Sequence, residues 1–160
     1  PCITVSLTAR SPYGEPMESA EPLVIVGGGL AGSLAALALT RSRPQLSLLL
    51  IERGERFGGN HVWSFFDGDL EPACRSLADA LRPLDWSGHS VRFPRRRRDL
   101  DAGYHSIPSE HLDALVREAL PASALMAGAD VTDLQTDGVI LDGGKRIAAR
   151  GVIDARGPRG

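Results

Sequence analysis

Residues 23–52 read LVIVGGGLAGSLAALALTRSRPQLSLLLIE, and this stretch decides the fold. Leu23 to Val26 form a short, continuous apolar run with a β-branched centre, the pattern of a parallel strand buried on both faces. Gly27, Gly29 and Gly32 follow in G-x-G-x-x-G spacing. Leu30, Leu34 and Leu37 recur at helical spacing, and Ala31, Ala35 and Ala38 make a ridge of small side chains expected to let the helix lie close on a sheet. Arg41, Arg43 and Pro44 end the helix. Leu46 to Ile51 is a second buried strand, so the unit is a right-handed βαβ crossover.

The glycine spacing has a chemical purpose in this context. Gly27 permits the tight turn, Gly29 lets the backbone approach a pyrophosphate at the helix N-terminus, and Gly32 lets helix and strand pack closely. Glu52 ends the second strand, about 20 residues past Gly32, where a carboxylate accepts hydrogen bonds from a ribose 2′-hydroxyl and repels a 2′-phosphate. The expected ligand is an adenine dinucleotide without that phosphate, FAD or NAD; the bland alternative is that the glycines only turn a structural βαβ unit. The residues beyond Glu52 favour a flavin. Gly58-Gly59-Asn60 precedes an aromatic stretch with Trp63, Phe65 and Phe66, and residues without a Cβ let the main chain pass close to a planar ligand.

Working outward, residues 53–66 read as a loop rich in glycine and aromatics, followed by a helical stretch around Ala73 to Leu81. Val91 and Phe93 suggest a strand entering the arginine run Arg95 to Arg98. Because Asp99 and Asp101 come directly after it, that run is expected to be a solvated or domain-facing charge cluster and not a nucleic-acid site. A helix begins near Ser109, a candidate N-cap, with Leu112, Leu115, Val116 and Ala119 on one face and Pro121 beyond its end. Val131 to Gln135, Val139 to Asp142 and Arg146 to Ala149, with the Gly143-Gly144 turn, form a small β-meander. Gly151 to Asp154 returns as a buried strand. The expected layout is a leader over 1–22, the βαβ unit and flavin loop over 23–66, an excursion of helices and meander over 67–150, and the returning strand over 151–160.

Composition excludes several classes. The chain has 160 residues, 42% hydrophobic and 24% charged, with 18 basic against 20 acidic residues, so no global charge draws it to nucleic acid or an anionic membrane. Leu23 to Thr40 runs without a charge, near the length of a membrane span, but three successive glycines interrupt it and argue against one. Cys2 and Cys74 show neither a disulfide framework nor zinc spacing, which suits a reducing cytoplasm. His61, His89, His105 and His111 lack metal-ligand spacing, so no metal site is expected. The first 22 residues lack a secretory pattern; Met17 is the expected native start, with residues 1–16 an upstream extension.

Four segments together resemble the N-terminal part of bacterial lycopene β-cyclases: LVIVGGGLAGSLAAL, LLIERGERFGGNHVWSFF, SVRFPRRRRDLDAGYHSI and RGVIDARG. GGNHVWSF is the most specific, and the likeness spans about Leu23 to Gly157. The resemblance implies a Rossmann-type FAD/NAD(P)-binding α/β fold of the flavoprotein hydroxylase/reductase class, with a small inserted β-meander and a carotenoid-binding domain. It implies FAD reduced by NADPH, and an intramolecular lyase or isomerase that closes β-ionone rings on lycopene, giving γ- and β-carotene without net redox change. In that scheme a terminal alkene is protonated, the neighbouring double bond attacks the carbocation, and a proton is lost; this needs an acid in a water-free pocket and a negative neighbour for the cation.

Residue by residue, the resemblance carries cofactor binding to Gly27, Gly28, Gly29, Leu30, Ala31 and Gly32 in the turn, Glu52 and Arg53 after the second strand, and Gly59, Asn60 and His61 near the flavin. No catalytic residue is expected within the chain, because the family's acidic motif lies C-terminal to Gly160. The chain is therefore expected to be a fragment, inactive alone, of a cytoplasmic protein that touches the membrane peripherally. Two other readings stay open: another flavin-dependent isoprenoid reductase or hydroxylase, and a non-catalytic dinucleotide-binding module.

Overall fold

The computed structural model describes residues 21–157. Expectations about residues 1–20, among them the Met17 start, and about 158–160 lie outside the described residues. Strand β1 (Leu23–Val26) is buried along its whole length and leads through the glycine turn into α1 (Leu30–Ser42) and then β2 (Leu48–Glu52). Downstream come β3 (Val62–Phe66), α2 (Pro72–Ala80), β4 (Leu84–Trp86), β5 (His89–Phe93), β6 (Arg96–Leu100), β7 (Tyr104–Pro108), α3 (Ser109–Ala119), β8 (Leu125–Ala127), β9 (Val131–Gln135), β10 (Gly138–Leu141), β11 (Arg146–Ala148) and β12 (Gly151–Asp154).

The parallel sheet has the order β12-β1-β2-β8. β1 is central, pairing Leu23 to Val26 with Gly151 to Asp154 on one side and with Leu48 to Ile51 on the other. Alternation then sends side chains to two cores. Ile25 and Leu50 face α1 and α3 with Leu37, Phe57, Leu112 and Val116. Val24, Val26, Leu49 and Ile51 face the meander β11-β10-β9, with Val131 and Val139. This is the α/β architecture expected of a dinucleotide-binding unit.

Several elements differ from the expectation. Val62–Phe66, read as loop, is a strand in a three-stranded antiparallel sheet of order β3-β7-β4, whose other two strands the chain did not advertise. The arginine run is the second strand of the β5-β6 hairpin, and its arginines are exposed. β8, inside the span read as an excursion, joins the parallel sheet beside β2. The cap residue of α3 is Pro108, and Ser109 is its buried first residue. On α1 the inward residues are Gly32, Ser33, Ala36 and Leu37. Ala31 and Ala38 are exposed, because seating Gly32 on the turn phases the helix one step away from the expected alanine ridge. Cys74 is disulfide-bonded, where the cysteine spacing indicated no disulfide framework. Among the described residues no helix is long and apolar enough to cross a membrane, and no cluster of His, Cys, Asp and Glu is suited to a metal ion.

Candidate functional site: the glycine cradle

At the C-terminal end of β1 the chain turns through Gly27, whose φ of +105° is open to glycine alone among ordinary residues; the turn packs on Ala155, just past β12. A side chain on Gly32 would overlap the Gly27 carbonyl oxygen. That contact sets the start of α1 against the strand end. Gly29 is the N-cap of α1, with no side chain to cap the helix and no acidic residue in the first turn. The first-turn amides therefore lack intrahelical acceptors and aim their partial positive charge outward. A methyl on Gly29 would meet nothing within 4 Å. Open space before uncapped amides is the geometry of an anion cradle, and a diphosphate fits it.

Glu52 stands beside this cradle at the end of β2. Its Oε2 accepts from the Gly28 amide at 2.7 Å and its Oε1 from the Gly54 amide at 2.8 Å. Each carboxylate oxygen keeps a further acceptor direction, so the group is oriented by the backbone and can still receive a ribose hydroxyl. Arg53 comes next in the chain, exposed. Ser33, fully buried on α1, donates from Oγ to the Gly28 carbonyl at 2.9 Å. It braces the turn from below.

The glycine loop is latched to the same turn. The Gly58 amide donates to the Gly28 carbonyl at 2.7 Å, and the Ser109 amide to the His61 carbonyl at 3.0 Å. Phe57 is fully buried and its amide donates to Asp113 Oδ1 at 2.9 Å. Arg117 sits over its ring, 5.2 Å from the centroid, while bonding Asp113 and the Glu55 carbonyl. Gly59, Asn60 and His61 are left exposed at the loop's tip. The structure thus brings the turn, Glu52 and the loop base together, with the tip projecting beside them. Ser33, Phe57, Asp113 and Arg117 were missed; only the i,i+4 spacing of Asp113 and Arg117 on α3 hinted at a role.

A second polar cluster lies on the antiparallel sheet. The His105 ring stacks on Phe65 at 4.8 Å, with Nδ1 at 2.6 Å from Asp85 and Nε2 at 2.7 Å from Asp67. Both ring nitrogens donate only when the imidazole is protonated. The hydrogen bond to Asp85, then that to Asp67, raises the His105 pKa, and the bond to His105 lowers that of Asp67. The three line a cleft of about 310 Å³ with Arg75, Asp79 and Arg82.

The lycopene cyclase protein family matches residues 22–160. A lycopene beta-cyclase of Pseudescherichia vulneris is 42% identical over 135 residues, covering 84% of this chain and 35% of that protein, so the chain spans about a third of that relative's length. Among solved structures, p-nitrophenol 4-monooxygenase from Pseudomonas putida is similar with a TM-score of 0.63 at 18% identity, over 88% of this chain and 42% of that one. A putative FAD containing monooxygenase from Photorhabdus luminescens gives a TM-score of 0.53 at 15% identity, over 86% and 40%. These structural likenesses are of fold, the α/β fold of the flavoprotein hydroxylase class.

Proposed function

Because the chain belongs to the lycopene cyclase family, we propose that it forms the FAD-holding portion of a lycopene β-cyclase, which closes β-ionone rings on lycopene to give γ- and β-carotene. The observation that carries the cofactor reading is the open, uncapped start of α1 at Gly29 with the Glu52 carboxylate beside it. Gly27 to Gly32, with Leu30 and Ala31 between them, hold the diphosphate through backbone amides. Glu52 takes the adenosine ribose and Arg53 lies at its edge. Gly59, Asn60 and His61 line the flavin side.

Bound there and reduced by NADPH, FAD supplies negative charge near the carbocation that forms when the terminal alkene of lycopene is protonated. The residues of this chain position and shield; none is assigned the protonation itself. Phe57 and Trp63 under the loop keep its base dry, which strengthens electrostatic effects there. Ring closure leaves substrate mass unchanged, because the proton gained at one carbon is lost from another. We further propose peripheral contact with the membrane, since lycopene dissolves in the bilayer; flotation of the protein with liposomes tests this.

The test is expression of the gene's reading frame in a lycopene-accumulating host, with the pigments chromatographed. γ- and β-carotene are expected, and they disappear when Gly29 or Glu52 is replaced. Unchanged lycopene beside flavin-loaded protein overturns the cyclase reading. A product altered in mass points instead to a reductase or hydroxylase.

A further inference from the structure

Gly28 is the middle glycine of the turn, and its neighbours leave no room for a side chain. A Cβ there would stand 2.9 Å from the Cβ of Glu52 and would overlap the ring of Phe57. Both peptide units that meet at its Cα are held. The first is fixed through the Gly28 amide, which donates to Glu52 Oε2 at 2.7 Å. The second is fixed through the Gly28 carbonyl, which accepts from Ser33 Oγ at 2.9 Å and from the Gly58 amide at 2.7 Å. A carbonyl oxygen has two lone pairs, and both are used.

The second unit has another edge. In a planar trans peptide the N–H points away from the C=O, so an oxygen drawn inward by buried Ser33 and Gly58 turns the Gly29 N–H outward, to the open space before α1. That amide belongs to the cradle. Gly58 forms the base of the glycine loop, at φ +82°, where a Cβ would stand 3.0 to 3.3 Å from Trp63, Leu112 and Ser109; its amide meets water only when the loop base lifts. One planar group therefore has the cradle at its N–H and the loop at its oxygen.

We propose that the Gly28–Gly29 peptide unit is a relay between the two halves of the cofactor site, with Ser33 as the residue that positions it. Hydrogen bonds in a chain polarise one another: when the Gly29 amide donates to a phosphate oxygen, the Gly28 carbonyl becomes a stronger acceptor and holds the Gly58 amide more tightly. Ser33 keeps the plane from turning, through a bond that belongs to neither half of the site. Occupation of the cradle by a nucleoside diphosphate thus closes the base of the loop before any ring system reaches its tip. The relay rests on the cofactor reading of the cradle. By linkage it runs both ways, so a closed loop raises affinity at the cradle by the same factor.

The probe is ADP, which has the diphosphate and the ribose but no flavin. Protein made from the gene's reading frame and stripped of flavin is titrated with ADP and, in parallel, with FAD by calorimetry. Amide hydrogen exchange of Gly58 is then followed in overlapping fragments of residues 53–61, with and without saturating ADP. Exchange is expected to slow about fivefold or more in the parent. In Ser33→Ala, and in Ser33→Cys, which fills the same space with a much weaker donor, saturating ADP should slow it less than about twofold. Far-UV dichroism checks folding, and either folded variant decides. A serine that only filled space would alter the melting temperature and the basal exchange but leave the ADP-dependent ratio at the parent's value; that result, or a ratio restored by Ser33→Cys, overturns the proposal. ADP bound by the parent without slower exchange overturns the relay and leaves the cofactor reading standing, as does FAD bound where ADP is not. Binding of neither removes the cofactor reading, and the relay falls with it.

Discussion

Gly29 and Gly32 stand three residues apart and respond oppositely to a methyl group. On Gly32 the Cβ overlaps the Gly27 carbonyl, so Gly32→Ala forces the turn and helix apart; on Gly29, in extended backbone with nothing within 4 Å, it meets only open space, where the proposed diphosphate would lie. Gly29→Ala should leave Tm within about 2 °C of the parent, at most about 1 kcal/mol, yet weaken FAD binding about tenfold or more by flavin-fluorescence titration. Gly32→Ala should lower Tm clearly as well, and equal Tm values for the two would contradict the packing difference. The glycine spacing made both positions legible, whereas Ser33, which braces the same turn, looked like any helical serine. The His105 clasp was equally hidden, since Asp67 and Asp85 lie 38 and 20 residues away from it in sequence. Its pH behaviour is set by its geometry. The raised His105 pKa contributes stability below the ordinary value of 6.5, lost as pH climbs through the raised value; the lowered Asp67 pKa contributes above 3.8, lost as pH falls through the lowered value. The clasp is complete between those limits, and Arg75, Asp79 and Arg82 across the cleft belong to the same field. Tm measured from pH 6 to 9 should decline, and His105→Gln should flatten the decline; solvent exposure of both carboxylates keeps the effect small.

Among the elements, β1 and β2 were legible as short apolar runs flanking the glycine turn, and the meander as alternating segments; β12, expected as a buried strand, lies at the sheet edge and is only half-buried, with Asp154 exposed. β3 was not legible, since Trp63 and Phe65 turn inward while Val62 and Phe66 face out, so that only Ser64 breaks an apolar run and the faces do not alternate in polarity. β7 reads Tyr-His-Ser-Ile-Pro, and its strand character comes from partners on both sides. The arginine run became a strand by pairing with β5, helped by exposed side-chain bonds of Asp99 and Arg97 to Ser90; its side chains contribute no core. The latch of α3 on the loop is the element contact that matters most for the site. In Asp113→Ala the amide of buried Phe57 loses its acceptor and Arg117 loses its carboxylate partner. Urea denaturation should show a loss of about 1–3 kcal/mol, and the loop base should lose protection in amide hydrogen exchange. Unchanged exchange at Phe57 and Gly58 would mean that α3 does not hold the loop.

At the scale of the molecule, one parallel sheet carries both cores, helices on one side and meander on the other. Leu112 and Val139 are fully buried in different cores. Leu112→Ala should cost about 2–5 kcal/mol and Val139→Ala less, each in a single transition by calorimetry; two separated transitions in either variant would mean the cores are independent. The sheet order has a temporal side too. β1 is made early but its place in the sheet waits for β12, and the turn at Gly27 rests on Ala155, whose amide bonds the Val26 carbonyl at 2.8 Å. A chain emerging from the ribosome N-terminus first must hold its glycine cradle unfinished until some 130 later residues have been translated, at the loop-closure cost such distance brings. On the proposed cofactor reading, FAD capture is a late event of biosynthesis, and nascent chains stalled before Gly151 should not retain the flavin.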